Sequence, residues 1–345
     1  MSAPMIDAKR VRVLLRVDAD PAIGFGHAVR CSALLAALRS DLDVVVAGDA
    51  VAALAAVFPA ARVRSVEKDG LEVILRSERA DVVVVDLPRH APDLWNELRR
   101  LARLVVAVDD EGGAIDADIV VNGAAPESCH RYPARRGGAV ALTGPAYALL
   151  RPEFRSARWR DPESASVAIV VGSGARARDW ALALAGDALD RSAWGEVAMA
   201  VGRAFPDLDE LRNACRRAGI RLVSGLDARA MAEHLAAAQV ALITGGMIMS
   251  ETLAVGAPAV VFPQVDNMVP EARWFAERGA IRDLGCNGGM AMRRVAVEVD
   301  GLLSDRIKAC ELSAQARRLV DGRGAERAAG ALAARLADVA RVTER

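Results

Sequence analysis

The segment AIGFGHAVRC, residues 22–31, sets a histidine and an arginine beside two glycines. It lies between a strand-like run, VRVLLRVD (11–18), and a helix-like run, SALLAALR. Imidazole is the side chain best suited to take up a proton near neutral pH, and His27 is one of four histidines (27, 90, 130 and 234). Gly24 and Gly26 permit positive φ and let a ligand come close to the backbone. At a strand–helix junction the free N–H groups of the helix start can face an anion. Arg30, one turn on, is placed to pair with a carboxylate or phosphate. Asp18, ending the preceding strand, is placed to orient the ring or to share in activating water. Position 29 is Val29, so the loop does not complete the G-x-G-x-x-G dinucleotide fingerprint. A plain structural reading competes, in which His27 caps a helix and Arg30 is solvated. Taken together, the four features favour chemistry: His27 and Asp18 as catalytic candidates, with Gly24, Gly26 and Arg30 at the substrate.

A second glycine loop lies in VALITGGMIMSETLAVGAPAVVFP (240–263). A strand leads to Gly245 and Gly246, then to a helix carrying Met247, Ser250 and Glu251. Paired glycines before a helix N-terminus suit a phosphate, and a carboxylate at the offset of Glu251 suits two ribose hydroxyls. The bland alternative is a tight turn with a solvent-facing Glu. Asp266 and Asn267 follow the next strand and are expected at the same site, although both are also ordinary turn residues. Gly172 and Ser173, in GSGARARDW (172–180), form a further strand-end loop suited to phosphate.

These loops need rigid elements to hold them. Apolar runs bounded by turn signals read as buried parallel strands. The first half has VRVLLRVD (11–18), DVVVAGD (43–49), ARVRSV (61–66), DVVVVDL (81–87), LVVAVDD (104–110) and DIVVNG (118–123). After Gly26, Cys31, Leu34, Leu35 and Leu38 share one helix face. ESCHRYPARRGG reads as loop and TGPAYALLRPEFRSARWRDPES as connector. A second series follows: SVAIVVGSG (166–174), EVAMAVG (196–202), RLVSG (221–225), VALITGG (240–246) and PAVVFP (258–263). From about 290 the chain reads as helical to its end. The expected architecture is α/β, with two Rossmann-like parallel-sheet domains, 1–150 and 151–345, the second including the helical tail. Ligands of such sheets bind at the carboxyl ends of the strands, which makes an inter-domain cleft the default site.

Composition narrows the function classes. The 345 residues are 53% hydrophobic but only 4% aromatic, and 45 Lys and Arg balance 45 Asp and Glu. Zero net charge argues against a general electrostatic grip on nucleic acid or an anionic membrane. The five cysteines (31, 129, 215, 286 and 310) have no C-x-x-C spacing, so neither zinc nor a redox dithiol is suggested. Scattered thiols and an N-terminus without an apolar stretch fit a cytoplasmic protein. No apolar segment is long enough for a membrane helix.

Five segments, in order, carry a resemblance: GFGHAVRC, DVVVVD, VAVDDEGGAIDADIVVNGA, LTGPAYALLRPEF and LITGGMIMSETLAVGAPAVVFPQVDN. Across roughly residues 11 to 285 the chain resembles the UDP-sugar hydrolase of pseudaminic acid biosynthesis, whose relatives include spore-coat polysaccharide proteins. The resemblance implies a GT-B-like fold and inverting hydrolysis of a UDP-linked modified amino-deoxysugar, with no metal or other cofactor. By it, His27 matches the catalytic histidine, and Asp86 a strand-end residue beside the sugar. Gly245, Gly246 and Glu251 match the UDP loop, with Glu251 on ribose, while Leu226 and Asp227 lie where uracil is met. The chain departs from the pattern in four places. Leu87-Pro88-Arg89 follows Asp86 where a Tyr facing the sugar is expected. Gly172-Ser173-Gly174 replaces Gly-Gly-Ser-Asp. Met268 replaces a Gln, and the tail is longer. The alternative is a GT-B glycosyltransferase with a non-water acceptor, and a nucleotide-sugar binding protein without turnover ranks last.

Overall fold

Valine-rich runs of two to seven residues, the central ones buried on both faces, build two all-parallel sheets. The computed structural model describes residues 11–19, 24–38, 42–88, 93–126, 131–132, 139–172, 175–186, 188–203, 205–285 and 288–343. The chain divides into two compact units, Met1–Leu150 with Arg323–Arg345, and Arg151–Gly322.

In the first unit the strands are β1 (Val11–Val17), β2 (Leu42–Ala47), β3 (Arg62–Arg64), β4 (Val82–Asp86), β5 (Leu104–Val108), β6 (Ile119–Asn122) and β7 (Val140–Thr143). Their order in the sheet is β3-β2-β1-β4-β5-β6-β7. The order reverses between β1 and β4, where Val17 pairs in register with Asp86. In the second unit they are β8 (Ser166–Val171), β9 (Glu196–Val201), β10 (Arg221–Ser224), β11 (Val240–Ile243), β12 (Ala259–Val261) and β13 (Arg282–Asp283). They are ordered β10-β9-β8-β11-β12-β13, with the reversal between β8 and β11. Each unit is therefore doubly wound and Rossmann-like. The carboxyl ends of strands at such a reversal are where α/β sheets bind ligands. The glycine loops singled out in the sequence follow β1, β8 and β11, all three at these positions.

The two faces of the first sheet feed separate cores. Val13, Leu15, Val17, Val82 and Val84 enter one, and Leu14, Val83 and Val85 the other. The first core corrects the expected domain boundary. The final helix, Gly324–Thr343, was expected with the second domain, but it belongs to the first unit. Its apolar stripe Ala325, Ala328, Ala329 and Leu332 closes the same core as Ala28, Cys31 and Leu34 of helix Gly26–Ala37. Gly324 makes the approach possible, because a Cβ there would collide with the Tyr147–Ala148 backbone. The edge strands β7 and β13 have no counterpart among the sequence-read runs. Both are short, β13 having two residues, and the outermost residue of β7, Val140, is exposed. No helix among the described residues is long and apolar enough to cross a membrane.

Candidate functional site

Gly24 holds φ +86°, a left-handed turn that lets the chain leave β1 and enter helix Gly26–Ala37. A Cβ on Gly24 or Gly26 would meet no described atom within 4 Å. His27 and Arg30 sit on the first turn and face the end of β4. His27 Nδ1 lies 2.6 Å from Asp86 Oδ1. Arg30 forks onto the same carboxylate, Nε donating to Oδ2 at 2.7 Å and a terminal nitrogen to Oδ1 at 2.7 Å. Its other terminal nitrogen donates to both oxygens of Asp110, at 2.5 and 2.6 Å. The Cys31 thiol donates to Asp86 Oδ2 at 3.3 Å.

The Asp86 side chain is fully buried, and those of His27 and Arg30 are 18% and 17% exposed. Burial alone would raise the Asp86 carboxyl, but the charge and hydrogen bonds of Arg30, helped by His27, hold it down at about 2. Burial works against the Arg30 cation, yet Asp86 and Asp110 outweigh it and raise its pKa well above the usual guanidinium value. Burial also raises the Cys31 thiol well above its usual range, with Asp86 adding to the effect, so Cys31 is a poor nucleophile. An ionised Asp86 can only accept. The short contact therefore puts the ring proton of neutral His27 on Nδ1 and leaves the Nε2 lone pair as the basic site. A base held by a buried carboxylate that fixes its tautomer is the arrangement general-base chemistry requires.

Two sequence expectations change here. Asp18 does not orient the ring. Both of its oxygens accept from the Arg16 guanidinium, one at 3.0 Å, and no described hydrogen bond joins Asp18 to His27. Asp86, expected beside the sugar, has no exposed side-chain surface and is the ring's partner instead. Arg30 pairs with carboxylates of its own chain. Beyond β5, Tyr132 donates to Asp109 Oδ2 at 2.7 Å and accepts from Asn122 at 2.8 Å, so its hydroxyl is committed. Burial and the Asp109 contact raise this phenol far above its usual range.

In the second unit, Gly246 has φ +80° and immediately precedes helix Met247–Val255. Gly246 and Met247 are half-buried, and Ser250 and Glu251 are buried. Gly245 has a reason of its own to be glycine: a Cβ would stand 2.9 Å from Cβ and 3.0 Å from the sulfur of Met268. Met268 ends the single turn Asp266–Met268, on which Asp266 and Asn267 are exposed. Glu251 Oε1 accepts from Arg151 at 2.9 Å, a partner not anticipated from sequence, and no described hydrogen bond engages Oε2. Arg151 also lies over the Phe154 ring, 5.1 Å from its centre. Burial pushes Glu251 up to about 7 despite the pull of Arg151. Leu226 is half-buried. Asp227 next to it caps helix Ala228–Ala237, accepting from the Ala230 amide at 2.8 Å. Gly172 directly follows β8, and a Cβ on it would meet no described atom within 4 Å; Ser173 lies outside the described residues.

Asp110 and Arg151 were missed as site residues although both fall in quoted segments, VAVDDEGG and YALLRPEF. The signal for Arg151 was a cation directly after the apolar run Ala148–Leu150, whereas Asp110, between Asp109 and Glu111, was marked only by its place just past a strand end.

The fold is GT-B α/β: two Rossmann-like parallel-sheet units whose chain matches solved structures along nearly its whole length. Acinetobacter baumannii MurG matches with a TM-score of 0.64 and 14% identity, over 92% of this chain and 98% of that one. The S. aureus MnaA–UDP complex matches with a TM-score of 0.60 and 13% identity, over 92% and 94%. In sequence, the spore coat polysaccharide biosynthesis protein SpsG of Bacillus subtilis is 24% identical over 259 residues, 72% of this chain and 75% of that protein. No family model matches the chain.

Proposed function

We propose that this chain is a hydrolase of a nucleotide-linked sugar, most simply a UDP-linked modified amino-deoxysugar, serving surface-polysaccharide or nonulosonic-acid biosynthesis. The observation that carries the reading is the 2.6 Å contact between His27 Nδ1 and the buried Asp86 carboxylate, on a glycine loop at the sheet reversal. His27 Nε2 takes a proton from water as the water oxygen bonds to the anomeric carbon. The bond from that carbon to the phosphate oxygen breaks, and its electron pair leaves with the nucleoside diphosphate. Attack opposite the leaving group inverts the centre. The diphosphate is a stable leaving group, so backbone donors at the loop after β11 suffice to hold its charge, with no metal or cofactor invoked. Glu251 Oε2 is the oxygen assigned to the ribose.

Support for UDP comes from MnaA, solved with UDP on the same fold. Support for the biosynthetic setting comes from SpsG, named for spore-coat polysaccharide. The test is incubation with a panel of UDP- and CMP-linked amino-deoxysugars without an acceptor, following nucleotide and free sugar by NMR. Release of both from one donor establishes the hydrolase and its substrate class. Release only when an acceptor is added makes the protein a glycosyltransferase using the same base.

A further inference from the structure

Among the described residues of the His27 cluster, Asp110 is a charged partner that the proposed chemistry leaves without a task. Its carboxylate lies just past β5 and holds one end of the Arg30 guanidinium through two short hydrogen bonds. The other end of Arg30 holds Asp86, and one of its nitrogens comes within 3.0 Å of His27 Nδ1. The Nδ1 hydrogen points to Asp86, so this approach of Arg30 is a contact between a cation and the ring rather than a hydrogen bond. When His27 takes up a proton, the positive charge therefore develops beside an existing one.

We propose that Asp110 is a positioning residue for His27, acting through Arg30: it offsets the guanidinium that would otherwise oppose protonation of the ring. The proposal rests on the reading of His27 as the base. Its physical content is a charge count. With Asp110 present, two carboxylates face one guanidinium and the ring sees a net negative surrounding. Without it, Asp86 and Arg30 cancel and the imidazolium keeps Asp86 but loses the net negative surrounding. Burial makes the count matter, since Asp86 is fully buried and the Arg30 side chain is only 17% exposed. Asp110 is 48% exposed, so its removal alters charge without opening the core.

Among the described residues, the leading charges acting on Arg30 are those of Asp86 and Asp110, and on Asp86 those of Arg30 and His27. Asp109, beside Asp110, is occupied by Tyr132 and the amides of Glu111 and Gly112. Asp18 is occupied by Arg16. The final helix and helix Val51–Val57 join the core of helix Gly26–Ala37 through Ala325, Ala328, Ala329, Leu332 and Leu54. Arg89 and His90, after β4, lie outside the described residues.

The test is a nitrogen-15 NMR titration of the His27 ring in the unliganded full chain, with H27Q assigning the signal. The D110N midpoint is expected about one pH unit below wild type, and the R30Q midpoint above it. Opposite signs are the signature of a charge balance, which a merely structural role does not produce. An unmoved midpoint in D110N, or a fall in both variants, overturns the proposal. If R30Q does not fold, D110N against wild type decides alone. Turnover is scored separately: D110N is expected to lower kcat with KM little changed. A shifted midpoint with H27Q still active leaves the charge balance standing and removes His27 as the base.

Discussion

Each half of the molecule buries a carboxylate against an arginine, and the two titrate in opposite directions. Asp86 is held at about 2 and Glu251 is pushed to about 7. Burial raises both, so the difference lies in what each carboxylate is given in return. Asp86 accepts two bonds from Arg30 and one from the Cys31 thiol, with the His27 ring nitrogen 2.6 Å away. Glu251 is given one bond from Arg151. A buried charge is tolerated in proportion to the donors that replace its water. The comparison separates a carboxylate built to stay ionised, as the partner of the proposed base must, from one poised near neutrality.

Stability follows the same division. Asp86, lowered from 3.8, adds stability above its ordinary value that is lost as the pH falls towards about 2. Glu251, raised from 4.5, favours the fold below its ordinary value and loses that contribution as the pH rises through about 7.

Four changes break or sharpen the contrast. The largest effect is expected from Asp86→Asn, whose amide donates to Nδ1 and holds the ring in the wrong tautomer. Turnover should fall by about 10³–10⁴-fold with UDP affinity within a few-fold, as for His27→Ala. Steady-state kinetics beside calorimetry decides this, and a mild loss would return Asp86 to the sugar. Next is Arg151→Ala, which removes the counter-charge of buried Glu251 so that the carboxyl takes up a proton and loses its donor, at an expected cost of about 1–3 kcal/mol in urea unfolding. A loss below about 1 kcal/mol is what a surface pair gives and would erase the symmetry between the halves. Third, UDP affinity should strengthen as the pH rises through about 7, where Glu251 ionises and can accept from ribose hydroxyls. Glu251→Gln should flatten that dependence and weaken binding by roughly 1.5–3 kcal/mol; an unchanged pH profile removes Glu251 from the ribose. The smallest effect belongs to Asp18→Ala, expected to leave kcat within about threefold and stability within about 1 kcal/mol, because its partner is the neighbouring Arg16. A catalytic collapse there would restore Asp18 to the ring.

Much of this was legible from residue patterns. Every strand except β7 and β13 coincides with a run read from the sequence, and the central strands β1, β4, β5, β8 and β11 are apolar almost throughout because both of their faces are covered. The helix after Gly26 and the glycine loops were legible for equally local reasons: helical periodicity, and a backbone conformation that glycine alone adopts freely. Partners were not legible. Asp18 is nine residues from His27 and was the natural choice to orient it, while Asp86 is 59 residues away.

The sequence by itself determined that the chain forms two doubly wound units with glycine loops at strand ends and a histidine on the first of them. Those features follow from side-chain size, periodicity and backbone freedom within a few residues. Only the tertiary structure decided which carboxylate serves His27, that Arg30 is shared between two acids, that Arg151 meets Glu251, and which unit claims the final helix. The pairing of β1 with β4 puts Asp86 level with Val17, leaving it buried under the helix that carries His27 and Arg30. The last helix advertises an apolar stripe but not the surface that receives it. Such choices depend on register and packing between segments far apart in the chain, where no local pattern records the partner.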